Sequence, residues 1–524
     1  MRDEKIEILL SYAGNENRYQ YFALSIFLFL WMNCNFMAVV LPYLERQPLV
    51  KYTDENNNIH INETLSNEIC GKAYEIIERF GYSWVSEYDI ECNKLYIGLI
   101  GVFTFIGNTM GSIVFSIITK YFTHKNILLI SSVGFSLSIY ACTLIYSKIY
   151  LYWILIFLIF VGLFGNCLCY SSLVVCEEIV SSRKRSFFSS IINMGYGLCG
   201  IMYSLIFMYI QNWRYDFYIL IGFSLLLGLI IWLFIYDSPR IYIDHKDVDT
   251  TLKILEGIAS FNGLKKEFLK KIETEEYKQL INEIMEYNYD KAIEMKEIND
   301  ENDNEKKGEL IEINDNASEN KKGPLKMTIF TSLKYPSLRY KFLILCILWF
   351  GTRSTSNCIA LSSKSLPGNY YYNIIFLFIF ESSAYYISGI LINIKSLGRR
   401  GTLWLQYLII SFTFIILSFI KMSNSFELGL NFLARFCAAA IELVFYTYTL
   451  EVYPTPVRSL NFGMNVTFGN IGSILSPLVY EYLPSWLFLF VFALFSIFHA
   501  ILLIFLPETV GRPMIESIEE LNEK

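Results

Sequence analysis

The chain has 524 residues, 54% hydrophobic, 17% aromatic and 18% charged, with a formal net charge of −6. Soluble domains run at about 45–50% apolar and about 25% charged, so this composition excludes an ordinary soluble fold. No basic stripe stands outside the apolar blocks, which excludes a nucleic-acid footprint.

The opening segment, residues 1–20, mixes charges and reads as a short cytosolic helix. Twelve apolar blocks follow. A bilayer takes about 20 apolar residues as a helix, and in lipid each segment must satisfy its own backbone polar groups. Six blocks come first: Tyr21–Leu41, Leu95–Thr119, Asn126–Tyr146, Ile149–Cys176, Phe187–Ile210 and Phe217–Tyr236. The first of them is too long for a signal-peptide core and is expected to stay as a span. Six more follow a polar stretch: Phe342–Ser363, Tyr370–Ile394, Thr402–Ile420, Leu428–Leu450, Met464–Tyr480 and Trp486–Leu506. The expected fold class is an all-α membrane protein with 12 transmembrane helices in two six-helix bundles. The expected organisation is an N-terminal bundle over 21–236, carrying an outer loop at 42–94. A cytosolic segment at 237–341, a C-terminal bundle at 342–506 and a cytosolic tail at 507–524 complete it. Within the central segment, residues 245–300 carry helical periodicity. Residues 298–323 are poor in apolar groups and rich in Asn, Glu and Lys, so they read as a disordered linker.

Basic residues in the short loops set the orientation. Lys120, Lys125, Arg183, Lys184, Arg185, Arg399, Arg400 and Arg458 all fall on one side, with both termini and the central stretch. That side is expected to be cytosolic. Nine of the eleven cysteines lie in or at the ends of apolar blocks, where Cys acts as a small hydrophobe. The other two, Cys70 and Cys92, share the outer loop and are expected to pair there. The same loop holds Asn62-Glu63-Thr64, a glycosylation acceptor pattern at Asn62. Asn316-Ala317-Ser318 has that pattern too, but on the cytosolic side.

Six short motifs stand in register along the chain. They are Ser83–Cys92 before the second block, Trp213-Arg214 before the sixth and Asp237-Ser238-Pro239-Arg240 after it. Glu451-Val452-Tyr453-Pro454-Thr455-Pro456-Val457-Arg458 ends the tenth, Gly472–Pro477 lies in the eleventh, and Leu506-Pro507-Glu508-Thr509-Val510-Gly511 follows the twelfth. In order and spacing this set resembles the organic cation/anion transporter (solute carrier 22-like) family of the major facilitator superfamily, from the first span to the C-terminus. The resemblance implies two bundles rocking about a central site, and charge networks at the cytosolic ends of spans that gate it. The residues it points to for gating are Glu177, Arg185, Asp237, Arg240, Arg400, Glu451, Arg458 and Glu508; static ion pairs worth about 0–1 kcal/mol each are the plainer reading. Two places depart from the family. The loop after the second span normally carries Asp-Arg-x-Gly-Arg, but Lys120 through Lys125 stand there; after the eighth span Gly398-Arg399-Arg400 survives, with Lys395 in place of the acid.

Charges inside spans are rare and point to function by default. Arg353, Glu381, Arg435 and Glu442 fall inside the seventh, eighth and tenth spans, two of each sign. A locked structural cluster and a substrate site both remain open for them. Glu381 stands where the family has an acid, and Asn35 matches a family pattern at the cavity. Asn470 occupies a position that the family makes acidic in cation carriers and basic in anion carriers. Tyr446, Tyr448 and Trp349-Phe350 are candidate aromatic walls for an organic cation. The substrate-binding candidates are therefore Asn35, Arg353, Glu381, Glu442, Asn470 and Tyr446. No catalytic set, metal site or cofactor is expected. The expected function is secondary transport of a small organic ion or zwitterion by alternating access, in a multi-pass protein of the plasma membrane or an organelle membrane. Its expected partners are a small organic solute and the lipid bilayer. The alternative is a transport-deficient relative serving as scaffold, sensor or subunit of a membrane assembly, for which the lost loop acids are the evidence.

Overall fold

The computed structural model describes every residue except 1, 15–16, 54–58, 63–69, 71–73, 120, 181, 240–241, 243–246, 275–334, 363–365, 392–397, 421, 454 and 510–524. Arg240, Asn316 and the linker 298–323 therefore lie outside the described residues, as do the side chains of Asn62, Glu177, Arg185 and Arg458.

Twelve long helical segments account for the two bundles among the described residues. The first span runs over Arg18–Leu44, as helices Arg18–Cys34 and Phe36–Leu44 that meet at Asn35. The others are Lys94–Ile118, His124–Thr143, Leu151–Glu178, Ser182–Tyr209, Trp213–Phe234, Pro336–Ser362, Tyr370–Leu391, Gly398–Phe419, Asn424–Val452, Thr455–Tyr482 and Ser485–Ile504, numbered here as spans 2 to 12. Ten of the twelve are long and apolar enough to cross a membrane. Spans 8 and 11 are the exceptions. Each packs against a span of the other bundle, span 8 on span 5 and span 11 on span 2. Helices that face protein and a polar cavity need less apolar surface than helices that face lipid.

Local sequence starts several of these helices. Asn93, Thr123 and Asn212 cap spans 2, 3 and 6, their side chains accepting from the backbone N–H of Tyr96, Asn126 and Arg214. Pro336 opens span 7, a place where its missing N–H does no harm. Spans 2 and 4 approach closely at two glycines. A Cβ on Gly107 would run into the carbonyl of Ile159, and one on Gly162 into that of Thr104. Small residues let backbones touch where lipid offers no hydrophobic drive between helices.

The loop after the first span adds an element that an all-helical expectation does not contain. Three short strands, β1 (Leu49–Thr53), β2 (Ile59–Asn62) and β3 (Tyr74–Glu78), form an antiparallel sheet of order β2-β1-β3. A disulfide joins Cys70 to Cys92, with Cα atoms 5.8 Å apart, so the loop is tied to the start of span 2. We call this side the loop face and the opposite side the basic face.

On the basic face three helices pack beneath the N-terminal bundle: Arg2–Gly14, Val248–Phe261 and Lys265–Ile272. Asn262 ties them together, donating to Ala13 O at 3.0 Å and accepting from Tyr19 N at 2.8 Å. Asp247 caps the second of these helices, and the hydrogen bonds from Thr250 hold its carboxyl below the usual carboxylate range. One buried core fills each bundle. The N-terminal core reaches across to Leu361, Tyr370, Ile374 and Phe378 of spans 7 and 8.

Candidate functional site

The two bundles touch along the loop face. Tyr43, at the end of span 1, stacks on Phe207 and meets Tyr370 and Tyr371 of span 8 at centroid distances of 5.2 and 6.1 Å. Tyr370 donates its hydroxyl to Pro42 O at 2.8 Å. The Arg46 guanidinium lies between the rings of Phe80 and Tyr370, at 3.8 and 4.1 Å, and donates to Tyr82 at 2.5 Å. Burial pushes the Tyr82 hydroxyl well above the usual phenol range. Further in, Gly101 of span 2 lies against Pro477 of span 11, and Gly200 of span 5 against Phe378 of span 8.

Behind these contacts lies a cavity of about 140 Å³ between the bundles. The N-terminal bundle lines it with uncharged groups, chiefly the amides of Asn35, Asn108, Asn166 and Asn193 and the rings of Trp31 and Tyr196. The C-terminal bundle lines it with Arg353, Glu381, Arg435, Glu442, Tyr446 and Asn470. All six substrate-binding candidates, Asn35 included, thus stand on one wall or the other.

The four charges are two ion pairs. Arg353 Nη1 meets Glu442 Oε1 at 2.5 Å, while Nη2 donates to the Tyr446 hydroxyl. Arg435 donates from Nη2 and Nε to Glu381 Oε2, at 2.6 and 3.1 Å, and from Nη1 to Ser356 O at 2.9 Å. Asn470 Nδ2 has no hydrogen-bond partner among the described residues. Asn357 bridges Arg353 O to the Ser473 hydroxyl, holding spans 7 and 11 together beside the first pair. The result is a polar chamber whose charges balance on one wall, faced by neutral donors and acceptors on the other.

Three aromatic expectations need correction. Trp349 and Tyr448 do not line the cavity. Trp349 is buried against Phe445, Tyr446 and Phe462 and donates to Thr449, and Tyr448 donates to Pro507 O. Phe350 is likewise off the wall and meets Phe495. The rings that do line it, Tyr170, Tyr196 and Tyr385 among them, went unread in the sequence. A signal was present for one of them. Tyr385 follows Glu381 by four residues, as Tyr446 follows Glu442, and such spacing puts both on one helix face.

At the basic face, Glu451 meets Arg399 at 3.0 Å and accepts from the Thr509 hydroxyl at 2.6 Å. Glu508 accepts from the backbone N–H of Arg399 and Arg400, at 3.0 and 3.1 Å. The Arg400 side chain reaches Leu506 O at 3.0 Å. These groups all belong to the C-terminal bundle. Asp237, at the end of span 6, is buried and accepts from Ser238 N at 3.0 Å.

Comparison with known proteins places this architecture. The chain matches the Major Facilitator Superfamily over residues 22–426. It is 22% identical over 475 residues to solute carrier family 22 member 6 of Rattus norvegicus, covering 89% of this chain and 78% of that one. It is 26% identical over 478 residues to organic cation/carnitine transporter 2 of Rattus norvegicus, covering 88% and 75%. Among solved structures, an inward-open form of the xylose transporter XylE from E. coli aligns with a TM-score of 0.64 at 13% identity, covering 96% of this chain and 98% of that one. With two helical bundles around a central chamber and a superfamily match across most of its length, the chain belongs to the major facilitator superfamily, as a multi-pass membrane transporter similar to the solute carrier 22 proteins.

Proposed function

We propose that the chain moves a small organic ion or zwitterion across the plasma membrane by alternating access, with the basic face in the cytosol. The observation that carries this reading is the chamber itself. It lies between the bundles, presents two acids and two bases at the depth of the spans, and is closed off by Tyr43, Arg46, Tyr370 and Tyr371 at the loop face. Ion pairs and polar atoms without partners are costly inside a membrane, and a solute that uses them offsets that cost. At the basic face Arg399 of span 9, Glu451 of span 10 and Glu508 after span 12 are linked to one another. On our reading Glu177, Arg185, Arg240 and Arg458 join Asp237, Arg400, Glu451 and Glu508 when that face closes.

The relative named an organic cation/carnitine transporter supports the substrate class. Carnitine bears a quaternary ammonium and a carboxylate, the two poles that a balanced wall would accept. The scaffold alternative predicts a chamber plugged by side chains, and the carrier a cavity that reaches water on one side; a polar-lined cavity of about 140 Å³ supports the carrier. The test is uptake into proteoliposomes of labelled tetraethylammonium, benzenesulfonate and carnitine. Saturable uptake of any one supports transport; no uptake of all three by folded protein would favour the scaffold.

A further inference from the structure

We infer that Arg353 and Glu442 are the pair that opens to take the two poles of a dipolar substrate, while Arg435 and Glu381 stay closed as a strut between spans 8 and 10. The inference rests on the transport reading above and assigns roles within that site.

The two pairs differ in how fully they are satisfied. Arg435 uses Nε, Nη1 and Nη2, and Glu381 Oε2 accepts two of those bonds. Both side chains are 4% exposed. A pair this closed has nothing to gain from a ligand, and removing one partner would strand a charge in the bundle. Arg353 and Glu442 are 25% and 15% exposed. Their contact is a single Nη1–Oε1 bond, and Arg353 Nε has no hydrogen-bond partner among the described residues. Asn470 Nδ2, on the same wall, is also without one. Both of these donors are buried in this conformation; a carboxylate that replaces Glu442 as the pair parts can bind the guanidinium through two oxygens and supply the acceptors they lack.

Glu442, once released, is the counter-charge for the substrate's cationic pole. Tyr446 stands one helical turn beyond it and now accepts from Arg353. Its ring centroid lies 5.7 Å from the guanidinium, within the range at which a cation is drawn to a ring face. Freed of Arg353, the same ring can serve an alkylammonium. The exchange adds no net charge: one internal pair becomes two pairs with the substrate. That neutrality selects a dipolar solute, because an ion of either sign alone leaves one partner of the opened pair uncompensated. Span 10 carries both roles, since Arg435 and Glu442 stand seven residues, about two turns, apart. The strut fixes the helix while the site opens further along it.

The test is charge preference in proteoliposomes, read as the ratios of carnitine, tetraethylammonium and benzenesulfonate uptake. Glu442→Gln leaves Arg353 uncompensated and should shift the anion-to-cation ratio up by about tenfold, the factor that about 1.4 kcal/mol of differential binding gives. Arg353→Gln should shift it down by a similar factor. Both should lose carnitine uptake, and the reversed double variant R353E/E442R should recover part of it. If the single variants transport with unchanged preference, the pair does not meet substrate and the inference is overturned. It is overturned equally if neither single variant accumulates as monodisperse protein while Arg435→Gln and Glu381→Gln do, since Arg353–Glu442 would then be the strut. Wild-type protein that carries no probe at all would refute the transport reading instead, so the two failures are separable.

Discussion

A Cβ on Gly398 would stand 2.5 Å from Oε2 of Glu508. Glu508 accepts from the first N–H groups of span 9, where the helix dipole favours negative charge. Gly398 has φ +68°, a conformation that L side chains rarely adopt. Gly398→Ala should therefore lose stability twice, about 1–2 kcal/mol from the backbone alone, and more from displacing the carboxylate. The apparent Tm of the purified protein in detergent should drop by several degrees. Glu508→Gln keeps the shape and should drop it less. An alanine variant as stable as the parent would remove this account of the Gly-Arg-Arg motif.

The backbone contact between spans 2 and 4 makes a second prediction. Gly162 of span 4 sits against the carbonyl of Thr104, with Gly107 opposite. Gly162→Val cannot be housed unless spans 2 and 4 separate. We expect loss of monodisperse protein on size exclusion, on the scale of overpacking, about 1–3 kcal/mol. Gly222, where an added Cβ meets nothing within 4 Å, is the control. Gly222→Ala should behave as the parent does.

The span pattern was legible because lipid demands long apolar helices, and all twelve blocks read from sequence end within a few residues of their helix. The charged wall was legible for the related reason that Arg353, Glu381, Arg435 and Glu442 interrupt apolar runs. Which residues pair was legible only in part: a mid-span Arg353 needs an acid of its own bundle, but both Glu442 and Glu381 were open to it, and it meets Glu442. Arg435 and Glu442 share a helix, yet each finds its partner on another span, Glu381 and Arg353. Cavity aromatics without a charged residue one turn away, unlike Tyr446 and Tyr385, were illegible because in a bundle both lipid-facing and core-facing surfaces are apolar, so no stripe marks the inward side. Among 38 Tyr and 42 Phe, nothing local separates Tyr196 from Tyr140. Tyr196 lines the chamber, while Tyr140 is 46% exposed on the bundle surface. The outer sheet was missed because its strands are four or five residues long and interrupted by polar runs.

Alternating access requires the loop-face contacts to part. The ideal Cβ of Gly98 lies 3.5 Å from Cα of Leu478, across the boundary between spans 2 and 11. The double variant Gly98→Cys/Leu478→Cys should form a disulfide on mild oxidation, since opposed cysteines at such separations can bridge. Uptake should fall to background when oxidised and return on reduction. Full activity in the cross-linked protein would mean that these spans do not move apart.

The loop disulfide offers a chemical check. Non-reducing digestion should yield a peptide pair linked through Cys70 and Cys92, and reduction should split it. Cys70→Ser should loosen the sheet and raise protease sensitivity between residues 49 and 92, because the bridge anchors the loop to span 2. Asn62 ends β2 in the same loop. If the loop face is extracellular, Asn62→Gln should abolish a glycosidase-sensitive shift in mobility. A linked pair of other cysteines would overturn the first expectation, and a shift that survives Asn62→Gln the second.

Charge selection at Asn470 gives the last prediction. Its neighbour Gly469 brings the span 11 backbone against Arg353, with an added Cβ 3.0 Å from the Arg353 Cγ. Asn470 itself lines the chamber, and its Nδ2 has no partner among the described residues. With Arg353 and Glu442 balanced, one charge at this position should tip the whole wall. Asn470→Asp is nearly isosteric; an aspartate there adds a negative charge and competes with Glu442 for Arg353. Cation uptake should rise relative to anion uptake by about tenfold, which corresponds to about 1.4 kcal/mol. Asn470→Arg should do the reverse, because it adds a second guanidinium beside Arg353 and leaves Glu442 shared between two. The effect should weaken when Glu442→Gln is combined with Asn470→Asp, because the added acid then restores the charge that was lost. Uptake ratios for tetraethylammonium and benzenesulfonate across these variants decide the matter. Transport that persists with unchanged ratios in both single variants would place Asn470 outside the path of the substrate.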